Sequence, residues 1–150
     1  MTIDQTSLDG SMSDSDSWAV LRHALVGRLA VAVGDRPDIF PVNFAVDHGS
    51  VVFRTAAGTK LAAAAGRPVA FEADGYDPGT GEAWSVVVKG VAQEVTELDD
   101  VLAALDLPLF PWHTAPKPRI IRITPDSISG RRFTARGATK IETPRRVAPE

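Results

Sequence analysis

Apolar and polar residues alternate along most of this chain, and the period of alternation changes once, near its start. Trp18, Leu21, Arg22 and Leu25 fall at helical spacing, with the three apolar members on one face. Asp14 or Ser15 is placed to cap that helix, and the pattern ends it near Gly27. From Arg28 the period becomes two. Strands are predicted over 29–33 (LAVAV) and 39–46 (IFPVNFAV), the second with Phe40, Val42, Phe44 and Val46 on one face. A turn over 34–38 joins them, and a glycine-containing hairpin loop, Asp47-His48-Gly49-Ser50, leads to a third strand over 50–55. An alanine-rich helix is predicted over 56–66, then a strand over 69–74 and a loop over 75–81. A long strand over 82–96 should bend near Gly90. A helix over 97–107, a proline-rich loop over 107–118 and strands over 119–124 and 127–133 complete the pattern. Many antiparallel strands with two or three small helices predict a mainly β fold, a partly closed barrel.

Composition narrows the class. A length of 150 residues fits one domain, and 44% hydrophobic with 23% charged residues fits a soluble globular protein. There is no cysteine, which excludes disulfides, thiol catalysis, cysteine-ligated zinc and iron–sulfur clusters. Together with an N-terminus that lacks an apolar signal core, this points to the cytoplasm. The apolar runs are short and interrupted, so no membrane partner is expected. The net charge of −3 averages two unlike parts. Residues 1–116 hold 7 Lys+Arg against 16 Asp+Glu (−9), whereas residues 117–150 hold 9 against 3 (+6). Residues 1–14 read as a disordered leader, 15–133 as the folded domain and 134–150 as a flexible basic tail. No aromatic residue interleaves the basic ones after Phe133, so the tail reads as solvated and nucleic acid is not an expected partner.

One stretch concentrates phosphate-compatible chemistry. The strand over 50–55 ends at Arg54-Thr55, and Gly58-Thr59-Lys60 opens the following helix. Unpaired N–H groups at a helix start, a capping hydroxyl from Thr59 and the cations Arg54 and Lys60 all suit a phosphate. The glycine spacing is not that of a Walker loop. Pro41-Val42-Asn43 interrupts a strand, and a proline there implies an edge or a bulge that leaves backbone groups open to a ligand. Trp84 and Trp112 are each able to stack on a ring or to fill space. His23, His48 and His113 share no metal-ligand spacing, no G-x-S-x-G elbow occurs, and no catalytic side chain is assigned.

These motifs together (R-P-x-x-x-P-V-N, F-R-T-x-x-G-T-K and W-S-V-V-V-K-G) resemble the pyridoxamine 5′-phosphate oxidase-like family, and among its members the short actinobacterial type. The resemblance covers about residues 15–133. It implies a six-stranded antiparallel split β-barrel of the FMN-binding type, and a homodimer with flavin at the subunit interface. It implies that Arg54, Thr55, Thr59 and Lys60 hold the FMN phosphate and that Pro41, Val42 and Asn43 line the isoalloxazine ring. It also implies that Trp84 and Ser85 reach the same flavin from the partner subunit. The activity implied is hydride transfer through flavin N5 with a small-molecule substrate. Gly130 stands about where the oxidase proper has a flavin-contacting tryptophan, and no Arg-x-His pair follows, so the likeness does not extend to oxidation of pyridoxamine phosphate itself. A deazaflavin in place of FMN, a non-catalytic flavin carrier or sensor, and a haem- or nucleic-acid-binding dimer are the competing readings.

Overall fold

The fold is that of a computed structural model, which describes residues 10–56, 58, 62, 64–108 and 119–135. Its strands are β1 (Ser11–Met12), β2 (Val26–Val33), β3 (Arg36–Asp47), β4 (Ser50–Thr55), β5 (Pro68–Tyr76), β6 (Glu82–Glu94) and β7 (Arg119–Thr134). Two helices, α1 (Asp14–Leu21) and α2 (Leu98–Leu105), flank them. All strand pairings are antiparallel, in the order β1-β7-β4-β3-β2-β5-β6. An additional β7–β6 pairing closes six of the seven into a barrel, which pairs their edges in part. The two-residue β1 adds to β7 outside that ring.

The barrel is split at β3. This strand pairs with β2 along residues 36–43, but with β4 only along Phe44–Asp47. Among the described residues no strand flanks 36–43 on the β4 side. Pro41 sits in that stretch, where its missing N–H costs no ladder bond on the open side.

Period-two alternation sends one face of each strand inward. Leu29 and Val31, Val42 and Phe44, Val51 and Phe53, Phe71, Val86 and Val88, and Ile121 and Ile123 form the interior cluster. Phe40 and Val46 pack against it, as the pattern of β3 predicts. Phe44 and Phe71 meet edge to face with centroids 4.7 Å apart. A smaller cluster lies on the outside, where α2 brings Ala104 against Ala45, Val52 and Ile120.

α1 plugs one end of the barrel. Leu21 is fully buried and Trp18 packs against the interior cluster. Its cap is Ser13 and not Asp14 or Ser15, because the Asp16 N–H donates to Ser13 Oγ at 3.1 Å. The helix ends at Leu21, well short of Gly27. Leu25 is 67% exposed because the chain has already turned towards β2, with the Leu25 carbonyl accepting from the Phe44 N–H at 3.2 Å. Ser17, wholly buried, donates from Oγ to the Ser13 carbonyl and lies against Gly130. A β-carbon at position 130 would collide with that hydroxyl, so Gly130 is the gap that admits α1.

Three further expectations change. The strands read as 119–124 and 127–133 are one, β7, because Pro125-Asp126 forms a bulge and not a break. Lys89 opposes Ser127 and Gly90 opposes Pro125, leaving Asp126 as the extra residue. Gly90 is required there, since a side chain would strike the Thr124 carbonyl. The leader drawn over 1–14 overlaps ordered chain. Ser11–Met12 pair with Gly130–Arg131, the Gly10 carbonyl accepts from the Arg132 N–H at 2.8 Å, and Asp14 begins α1. Thr134 still belongs to β7, and the Ala135 N–H bonds the Gly81 carbonyl. The rest of the tail, most of the helix expected over 56–66, and Trp112 and His113 lie outside the described residues.

Candidate functional site

The outer face of β3, β2, β5 and β6 collects polar side chains opposite the buried ones. On β3, Val42 and Phe44 point inward, which turns Pro41 and Asn43 outward. Pro41 is registered against Arg28, Arg28 against Glu72 and Glu72 against Val87. One row along, Asn43 pairs with Val26, and Asp74 with Ser85, which in turn opposes Arg131. Arg54 follows Phe53, the last β4 residue registered with β3 (at Phe44), and shares the outward parity of Val52, as Asn43 shares that of Ala45. Pro41, Asn43, Arg54 and Ser85 therefore share the outer surface.

The other expected site residues are placed differently. The Val42 side chain is buried in the core, so it can line a ligand only through its backbone. Thr55 is 1% exposed and shares the inward parity of Phe53, so its hydroxyl does not join Arg54 on the outside. Trp84 packs against the interior cluster, on the face opposite Ser85. It lines a cavity of about 380 Å³ at the barrel end with Tyr76, Asp77, Glu82 and Arg132. Thr59 and Lys60 lie outside the described residues.

The structure adds a cluster that one strand at a time does not reveal. Arg28 Nη2 lies 2.6 Å from Glu72 Oε1 and 3.0 Å from Asp74 Oδ2, at the centre of the outer face. The hydrogen bond to Glu72, with the two carboxylate charges, raises the Arg28 pKa. Burial raises the Glu72 pKa, and the neighbouring Asp74 adds to the effect, outweighing the opposing pull of Arg28. Glu72 and Asp74 alternate with buried Phe71 and Ala73, so their outward direction is readable from the sequence. That Arg28 lies beside them depends on the β2–β5 register.

A second polar cluster lies near the start of β4. Arg122 donates to Ser50 Oγ and, through Nη2, to Asp47 Oδ2 at 3.0 Å. His48 closes the hairpin with φ +48° and Gly49 with φ +68°, the left-handed pair of a tight hairpin turn. Its Nδ1 is 2.8 Å from Asp47 Oδ1, and the ring is exposed. The adjoining cavity, about 460 Å³, is lined by Glu94, Glu97 and Asp100 as well as Asp47 and Arg122. Among the described residues no group of His, Cys, Asp or Glu is arranged to hold a metal, and no helix is long and apolar enough to cross a membrane.

Comparison with known proteins gives this geometry a context. The family model described as pyridoxamine 5′-phosphate oxidase matches residues 13–132. A structure described as an FAD binding protein from Mycobacterium smegmatis is 38% identical, with a TM-score of 0.74, covering 83% of this chain and 98% of that one. A conserved protein of unknown function from Corynebacterium diphtheriae is 37% identical, with a TM-score of 0.70, covering 83% and 96%. An uncharacterized protein from Mycobacterium tuberculosis is 36% identical over 119 residues, 75% of this chain and 78% of its own length.

Proposed function

This chain belongs to the pyridoxamine 5′-phosphate oxidase family, and from that premise we propose that it is a flavin-binding oxidoreductase acting on a small molecule as a homodimer. The observation that carries the proposal is the open stretch of β3 at the split: Pro41 and Asn43 face outward where residues 36–43 have no β4 pairing, and Arg54 lies just past the end of the β3–β4 pairing. The donor set there fits a flavin nucleotide. An open strand edge and a side-chain amide match a ring edge with both donors and acceptors. A guanidinium at the lip matches a phosphate, which it binds bidentately. Lys60, by family resemblance, is a second cation for the same phosphate. FMN is the form that the resemblance implies, and FAD is the form named for the M. smegmatis protein; both carry the same ring and proximal phosphate.

A bound flavin supplies hydride transfer at N5, and the protein supplies position and electrostatics. Arg54 anchors the phosphate, the backbone of 41–43 orients the ring and, by family resemblance, Ser85 of the second copy adds a hydroxyl. The face is also partly apolar: Ile39 and Leu25 are 64% and 67% exposed near Pro41 and Val26. A second copy laid on this face would cover those side chains and exclude water from the ring.

Purified protein titrated separately with FMN, FAD and a deazaflavin tests the reading. One of the three is expected to bind at micromolar concentration and to be reduced by an electron donor. Arg54→Ala combined with Lys60→Ala is expected to weaken that binding by about tenfold or more, the worth of a charge-assisted phosphate contact. Unchanged affinity in the folded double variant refutes the phosphate assignment. Tight binding without donor-dependent turnover identifies a carrier and not an enzyme.

A further inference from the structure

The Arg28 cluster lies on the proposed flavin face, yet neither the sequence nor family resemblance assigns it a role. Arg28 is registered directly against Pro41 on one side and Glu72 on the other. Both of its carboxylate contacts use Nη2. Among the described residues, Nε and Nη1 have no hydrogen-bond partner, and the side chain is 39% exposed. A guanidinium carries five N–H donors in a rigid fork. Two acceptors at one nitrogen thus fix the orientation of the fork and leave its other donors to something beyond this chain's described residues.

We propose that Arg28 is a specificity-determining residue for the ring bound on this face: anchored by Glu72 and Asp74, it donates from Nε and Nη1 to a carbonyl or electron-rich nitrogen on the ring's polar edge. The proposal rests on the reading of this face as the flavin site. Two features support it. The neighbouring strand position is Pro41, which offers no N–H donor of its own, so a ring edge lying there must take donors from an adjacent strand. The two carboxylates also make the arrangement costly unless the arginine is required. Burial and Asp74 both disfavour an ionised Glu72, and a lone surface ion pair contributes little stability in return. Hydrogen bonds to a ring edge strengthen as that edge gains electron density, so Arg28 should favour the reduced ring over the oxidised one. Glu72 and Asp74 act as positioning residues.

The test compares Arg28→Met and Arg28→Lys with the full-length parent, read by oxidised-flavin affinity and by the midpoint potential of the bound flavin. Lysine keeps a cation opposite Glu72 and Asp74 and so preserves folding, but it lacks the fork. Both variants are expected to bind oxidised flavin about tenfold more weakly, the loss of one hydrogen bond from a charged donor, and to shift the potential downward. Glu72→Gln, which loosens the anchor and retains the arginine, is expected to lower the potential less. Parental affinity and potential in Arg28→Lys overturn the proposal. If the parent and those variants bind alike while the Arg54→Ala, Lys60→Ala double variant loses flavin, the flavin site stands and only the Arg28 assignment falls. If the parent binds no flavin, both fall.

Discussion

At Glu72 three forces compete, and their balance makes a pH prediction. Burial favours the neutral acid, Asp74 does the same by repulsion, and Arg28 favours the carboxylate. The net effect raises the folded-state pKa above its ordinary value. A raised pKa means that ionisation costs the folded state. The contribution is therefore fully favourable below the usual glutamate range and is lost as pH rises through the folded-state value. Glu72→Gln removes this dependence. Its stability relative to the parent is expected to improve as pH rises from the usual glutamate range towards neutrality, as read by denaturant unfolding at each pH. A difference that stays constant, or moves the other way, contradicts the assigned balance. The cluster itself was not legible in the sequence. Arg28 and Glu72 are 44 residues apart, and alternation says only that each points outward. Pro41 was legible as an edge residue, because a missing N–H is a local property.

The elements follow the same division. The inward face of β3 could be read directly, since Phe40, Val42, Phe44 and Val46 keep strict period two. β7 could not, because a bulge at Asp126 resets its period and Pro125 imitates a strand end. The end of α1 was also missed. Leu25 continues the helical spacing, but backbone pairing near Phe44 takes over after Arg22. The position of α1 over β7 leads to a sharp expectation. Gly130→Ala places a methyl group against Ser17 Oγ, which is buried and already bonded to the Ser13 carbonyl. Such overpacking costs about 1–3 kcal/mol, read as a lowered unfolding midpoint. An unaltered midpoint means that α1 does not seat on β7 as described. The same packing explains why position 130 cannot carry the tryptophan of the oxidase proper: its side chain would enter the space that α1 fills.

At the scale of the molecule β6 closes on β7, but among the described residues several strand stretches lack a partner on one side, including β3 over 36–43 beside the split, β5 over 73–76 beyond its short pairing with β2, and β7 over 124–129 beyond its pairing with β4. The described chain thus offers one face that combines an open strand segment, exposed Ile39 and Leu25, and a charged cluster. If that face joins two copies around flavin, Ile39→Lys should produce monomers and weaken flavin binding together, because a lysine there would be buried without a partner. Sedimentation and flavin titration of the same sample check this. Monomers that keep full flavin affinity would separate the site from the interface.

The sequence by itself determined the properties that depend on near neighbours. These are strand facing, the glycine-containing hairpin loop over 47–50, the mainly β class and the exclusion of thiol and cysteine–metal chemistry. Its combined motifs also pointed to the family. Only the tertiary structure decided which strands lie side by side. That choice sets Arg28 between Pro41 and Glu72 and Ser85 against Arg131. The physical reason is that side-chain alternation is written in adjacent residues, whereas register is set by the whole barrel through its twist, its bulge and the need to close.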